Sequence, residues 1–175
     1  NSTGSQSITY NSSGLVSRFQ ESSNSINIDY KYDDSGYRLC KDDGSVKTWY
    51  VRDAAGNILS IYEQQSTTVE QKEVPIYGNG RLGIYKDNSG NAEYQYELKD
   101  HLGNVRAVVS IITGLHVAPD IISMSDYFPF GMRLPGRGEG SNAYKFGYQG
   151  EFAEDEVEET GYNNFELRLW NGRIG

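Results

Sequence analysis

The sequence has little of what most protein chemistry is built from. Cys40 is the one cysteine in 175 residues, so no disulfide can form within the chain and a cysteine-based zinc site is excluded. The two histidines, His101 and His116, stand 15 residues apart and match no metal or triad spacing. Lysine and arginine total 16 against 24 acidic residues, a net charge of −8. That balance argues against nucleic acid as the main partner, because phosphate binding needs clustered cations. Long apolar runs are also missing. The most apolar stretch, Ala107 to Ile112, is strand length, well short of the roughly 18 residues of a membrane-spanning helix. The chain opens on Asn1 with no signal-peptide pattern, as expected of a mature product or a fragment. No metal and no cofactor is expected.

What the sequence does have is tyrosine and glycine: 14 Tyr beside 6 Phe and 2 Trp, and 20 Gly beside 4 Pro. Tyrosine suits half-buried strands, with an apolar ring and a hydroxyl that reaches water. Glycine in this number points to many tight turns. Both features predict an all-β protein of short antiparallel strands.

A loose internal repeat carries this further. Asn11-Ser12-Ser13-Gly14, Asp33-Asp34-Ser35-Gly36, Asp53-Ala54-Ala55-Gly56, Asp87-Asn88-Ser89-Gly90 and Asp100-His101-Leu102-Gly103 each follow a strand-forming stretch and precede a new apolar alternation. Gly14, Gly36 and Gly56 are 22 and then 20 residues apart, which is room for two short strands and two turns. Glycine supplies the positive φ of a hairpin loop, and the Asp or Asn before it accepts hydrogen bonds from the turn's own amides. Alternation predicts two inward sets, Ile26-Ile28-Tyr30-Tyr32 and Ile58-Ser60-Tyr62.

Sites of chemistry are sparse. Asp100 and His101 are neighbours that would point to opposite faces of a strand, so a turn role is expected. No G-x-S-x-G elbow occurs. Gly78-Asn79-Gly80-Arg81-Leu82-Gly83 has the glycine spacing of a dinucleotide fingerprint, but no helical pattern follows it, so it reads as a loop. Gly131 to Gly140 reads as a basic connection. Glu151 to Glu159 holds six carboxylates in nine residues without the spacing of a calcium loop, and is expected to be a solvated loop. Trp49, Tyr50 and Trp170 are candidates for contact with a glycan or partner, with core packing as the competing role.

Tyr30-Lys31-Tyr32-Asp33 through Gly36 and Leu39 resembles a YD repeat of the Rhs/teneurin class. The C-terminal part resembles the Rhs-associated core more specifically. Asp100-His101-Leu102-Gly103-Asn104-Val105-Arg106 is followed, in the family's order, by Tyr127-Phe128-Pro129-Phe130-Gly131-Met132 and Tyr144-Lys145-Phe146-Gly147-Tyr148-Gln149-Gly150-Glu151. Glu159-Thr160-Gly161-Tyr162 and a closing Arg173-Ile174-Gly175 come next, with Phe165 to Trp170 similar to a Bacteroidetes-type variant. On this resemblance, 1–20 is a loosely ordered segment or edge strand, 21–98 holds YD-type repeats, and 99–175 is the core-like region. Asp100, His101, Leu102, Gly103, Asn104, Arg106, Phe130, Gly131, Gly150, Gly161, Arg173 and Gly175 are its structural motif positions.

The resemblance implies a strip of antiparallel sheet forming part of a β-shell or spiralling barrel, secreted or at the cell surface. Such a shell encloses a toxin domain. The partners implied are an enclosed polypeptide and either other copies of the chain or the remainder of a longer one. An aspartyl self-cleavage belongs to the family, but its motif is expected beyond Gly175, and Asn171 stands where an Asp is usual, so no enzymatic activity is expected. A strip of this kind has two open edges that invite further pairing. The alternative function is a surface adhesion or glycan-binding module on the same sheet.

Overall fold

A computed structural model describes residues 5–88, 91–112, 119–140, 144–150, 153–156, 162–165 and 168–174. Every regular element among them is a strand. β1 (Gln6–Tyr10), β2 (Val16–Glu21), β3 (Ile26–Tyr32), β4 (Arg38–Asp42), β5 (Lys47–Arg52), β6 (Ile58–Gln65) and β7 (Thr68–Gly78) come first. β8 (Gly80–Asn88), β9 (Asn91–Lys99), β10 (Val105–Ile112), β11 (Asp120–Tyr127) and β12 (Arg133–Glu139) follow. These twelve form one sheet in chain order, β1 to β12, and its paired strands run antiparallel. β1 and β12 are its two edges, so the sheet is an open strip and is not closed into a barrel. β13 (Ala153–Glu156), β14 (Tyr162–Phe165) and β15 (Leu169–Trp170) make a second, three-stranded sheet. The chain divides into two compact units, one running through Val74 and the other beginning at Pro75.

One turn design recurs five times. At Asn11–Leu15, Asp33–Tyr37, Asp53–Asn57, Asp100–Asn104 and Phe128–Met132, the N–H of the first residue donates to the carbonyl of the fifth. The N–H of the fourth, always glycine, donates to the carbonyl of the first, all at 2.7–3.1 Å. The glycines sit at φ of 78 to 91°, where a side chain would be strained. In the four turns opened by Asn or Asp, the side-chain oxygen also accepts the N–H groups of the third and fifth residues at 2.8–3.0 Å.

Two residues beyond each of these four turns the strand bulges, at Ser17, Leu39, Leu59 and Arg106. A bulge sets two residues against one and shifts the alternation. This corrects the inward set expected in β6. Ile58 pairs with Arg52 and Ile61 with Tyr50, so Ile58 and Ile61 share the core face, while Ser60 and Tyr62 lie on the other.

The residue just before one turn also locks onto the residue just after the previous one. Tyr32 Oη donates to Val16 O at 2.8 Å and Tyr127 Oη to Val105 O at 3.0 Å. Arg52 takes the same place, its Nε donating to Arg38 O at 3.3 Å. The Tyr32-Asp33 pair thus divides its labour: Asp33 shapes its own turn and Tyr32 ties that turn to the one before.

In the first unit, Phe19, Ile28, Tyr30, Tyr50 and Ile61 are buried. Arg38 lies over Tyr30 and Tyr50 (5.1 and 5.9 Å to the ring centroids), and Arg52 over Tyr50 and Tyr37 (5.9 and 5.4 Å). Stacking on aromatic faces lets a guanidinium be buried in a thin sheet. Cys40 is a free, buried thiol, and burial pushes its pKa up.

In the second unit the core is Ile84, Val105, Val108, Tyr144 and Phe146, with Ile122 against it. These sit on one face of β8–β11. The pairings place Tyr85, Tyr94 and Ile111 in one row of the opposite face, Gly83, Tyr96, Val109 and Ile121 in the next, and Leu98, Ala107 and Met124 in a third.

Three loop expectations are corrected. Gly78 ends β7 and Gly80 to Gly83 open β8, so only Asn79 of the 78–83 segment lies between strands. Arg133–Glu139 is a strand, because glycine lets it close on β11: a Cβ at Gly138 would stand 3.0 Å from Met124 O. Within the acidic run, Ala153–Glu156 is a strand paired with β14, while Glu151 and 157–159 fall outside the described residues.

Candidate functional site

The motif blocks that follow Lys99 are far apart in sequence, and the second unit brings them together. Asp100 opens the turn that starts β10. Burial opposes its ionisation, but hydrogen bonds from Asn104 (side chain and backbone) and Leu102, with the charge of Arg106, outweigh it and hold the carboxyl below its ordinary value. Asn104 Nδ2 donates to Asp100 Oδ2 at 2.8 Å. The other end of that amide, Asn104 Oδ1, accepts the Gln149 N–H at 3.0 Å, and Val105 N–H donates to Gly147 O at 2.9 Å. Gly150 closes on Val105 so tightly that a Cβ would stand 2.8 Å from Cγ2. The 144–150 segment is therefore strapped along the start of β10.

Beneath the strap lies a buried ion pair that the sequence did not announce. Glu97, with a side chain 0% exposed, faces Arg81 at 4%. Arg81 Nε donates to Glu97 Oε1 at 2.8 Å, and Tyr144 Oη donates to the same oxygen at 2.6 Å. Lys99 Nζ stands 2.9 Å from Glu97 Oε2 and donates to Arg81 O at 2.6 Å. Arg81 lies over the Phe146 ring, 3.4 Å from its centroid, and its Nη2 donates to Gly150 O. A carboxylate held by two cations and a phenol has its charge compensated in a dry site. The chemistry this permits is clamping of the strap to β8 and β9.

The next turn is locked in the same manner. Tyr148 lies over Gly131, where any Cβ would overlap its ring, and its hydroxyl donates to Pro129 O at 3.1 Å. Tyr37 covers Gly56 in the first unit likewise. Trp170 Nε1 donates to Phe130 O at 2.8 Å, and Gly172 is wedged against the backbone of Phe130, Gly131 and Met132. Arg106 bridges Asp100 (3.6 Å) and Asp126, and Arg137 Nε pairs with Asp126 at 2.7 Å.

Among the motif positions, Asn104, Gly131 and Gly150 are buried, and Arg106 is half-buried. His101, Leu102, Phe130 and Arg173 are exposed. Gly103 takes φ +83° with nothing near it, and Gly161 and Gly175 lie outside the described residues. Of the three candidate contact aromatics, Tyr50 is buried between arginines, Trp49 is 36% exposed with Nε1 bonded to Gln64 Oε1, and Trp170 is half-buried. Trp49 and Trp170 belong to different units. Among the described residues no group of three His, Cys, Asp or Glu could hold a metal, and no helix is long and apolar enough to cross a membrane.

No protein-family model matches the chain. It is similar to Salivary gland surface protein 1 of Aedes aegypti, 30% identical over 172 residues that cover 91% of this chain and 5% of that protein. The chain thus spans about one-twentieth of the length of this curated relative.

Proposed function

We propose that this chain is a structural segment of an exported Rhs/YD-repeat shell, a length of β-sheet wall that encloses or presents a partner polypeptide and is completed by pairing at its sheet edge. The observation that carries the reading is the interlocking of the turn at Asp100, the turn at Phe128, the 144–150 strap and the Trp170–Gly172 segment into one cap, in the order of the Rhs core. A buried ion pair and glycine-mediated contacts fix geometry, and the motif residues serve that fixing. Export is supported by the surface location in the name of the mosquito relative. Its much greater length supports a segment that works within a larger wall.

Sheet completion at β1 is the physical mechanism. β1 reads Gln6-Ser7-Ile8-Thr9-Tyr10, without proline or charge to blunt it, whereas β12 carries Pro135, Gly136 and three charged residues, Arg133, Arg137 and Glu139. Light scattering with negative-stain microscopy tests this. Pairs, rings, stacks or filaments are expected at raised concentration, and Thr9→Lys should dissolve them. A chain that stays monomeric at every concentration overturns edge completion.

A further inference from the structure

The outward face of β8–β11 is patterned against expectation. The covered face holds the Arg81–Glu97 pair together with buried Gln95, Ser110 and Ser123, while the uncovered face is apolar. Tyr85, Tyr94 and Tyr96 stand there side by side. The Tyr94 and Tyr96 rings lie 6.4 Å apart at 10° to one another, and Tyr85 meets Tyr94 at 5.3 Å. Leu98 (53% exposed), Ile111 (40%) and Ile121 (61%) border them. Gly83, opposite Tyr96, leaves that row without a side chain on β8; a Cβ there would overlap the Gln95 carbonyl, so the notch is a consequence of close strand approach.

Two features choose among occupants. Within β8–β11 the three rows contain no charged residue, in a chain of net charge −8. Asp87 beside the Tyr85 row and Glu139 at the end of the Met124 row stand only at the margins, so the centre of the face complements a neutral ligand. The three hydroxyls make no hydrogen bond to another described residue, whereas Tyr32, Tyr127, Tyr144 and Tyr148 all spend theirs inside the fold. Aromatic rings with free hydroxyls, flanked by exposed aliphatics, suit a ligand with apolar C–H faces and a periphery of hydroxyls.

We propose that Tyr85, Tyr94 and Tyr96 form a binding platform for a neutral glycan chain. Sugar C–H faces stack on the rings, and the free phenols exchange hydrogen bonds with ring hydroxyls. The site is distinct from Trp49, Tyr50 and Trp170, and it does not depend on the shell reading: a platform could act on a shell wall or without one.

The test is retention on insoluble cellulose, chitin and β-1,3-glucan, with native affinity electrophoresis in soluble β-1,3-glucan and mannan. Wild-type chain should be held by at least one of them. Tyr94→Ala and Tyr96→Ala should each weaken retention about tenfold, as expected for loss of one stacking ring, and Tyr94→Phe by a smaller factor. Trp49→Ala should bind as wild type. Circular dichroism establishes that each variant is folded. No retention on any of these polysaccharides, or retention that survives the Tyr94→Ala/Tyr96→Ala double change, overturns the proposal. So does a dimer that Tyr96→Asp converts to monomer, which would make this face an interface between copies. Thr9→Lys, which tests edge completion, should leave glycan retention unchanged.

Discussion

At the scale of the residue, the carboxylates divide by what they hold. Asp100 and Asp53 organise turns, and both carboxyls sit below their ordinary values. The main cause at Asp53 is the Asn57 side chain; at Asp100, hydrogen bonds and Arg106 overcome the effect of burial. A depressed folded pKa adds stability that is complete above the unfolded value of about 3.9 and is lost as pH falls through the lower folded value. The melting temperature should therefore drop on acidification below about pH 4. Asn11 shapes its turn without charge, but at position 100 an amide would set its NH2 against Asn104 Nδ2 and lose the Arg106 pair. Asp100→Asn should therefore lower neutral-pH stability by about 1 kcal/mol and flatten part of that acid dependence. Asp100→Ala, which loses the acceptor, should lower stability by about 1–2 kcal/mol. Glu97 is of another kind. Glu97→Ala strands Arg81 in a dry site and should cost about 3–5 kcal/mol in chemical denaturation, whereas Glu97→Gln, which keeps an acceptor for Tyr144, should cost less.

At the scale of the element, each turn glycine has its own reason to be glycine. Gly103 needs only its positive φ, so Gly103→Ala should cost about 1 kcal/mol. Gly131 also lies under Tyr148, so Gly131→Ala adds a ring clash and should be clearly worse. Gly83 has an ordinary strand φ yet faces backbone that cannot move aside, so Gly83→Ala should be the most damaging of the three. Melting temperatures of the three variants check this order, and a Gly83→Ala protein as stable as Gly103→Ala would contradict it. The bulges that follow the turns explain why simple alternation misassigned β6: one extra residue at Leu59 exchanges the faces of everything after it.

At the scale of the whole molecule, an open strip depends on what completes it. The prediction there is the concentration-dependent association through β1 and its loss in Thr9→Lys. The sequence by itself determined the all-β class, the antiparallel sense and four of the five recurrent turns, where Asx-x-x-Gly lays out a local hydrogen-bond pattern. The same spelling at Asp87 to Gly90 instead has Asp87 and Asn88 paired with Ala92 and Asn91 in the β8–β9 ladder, with 89–90 outside the described residues. The fifth recurrent turn, Phe128-Pro129-Phe130-Gly131, was legible only through its motif block. Only the tertiary structure decided which side chains become the clamp. Arg81 meets Gly150 across 69 residues and Glu97 meets Tyr144 across 47, and no spacing along a chain encodes such meetings. It also decided which aromatics remain at the surface. Tyr50 and Tyr85 look alike in sequence, yet one is sealed between two arginines and the other faces outward, because strand register and bulge position, set by the paired sheet, choose the face.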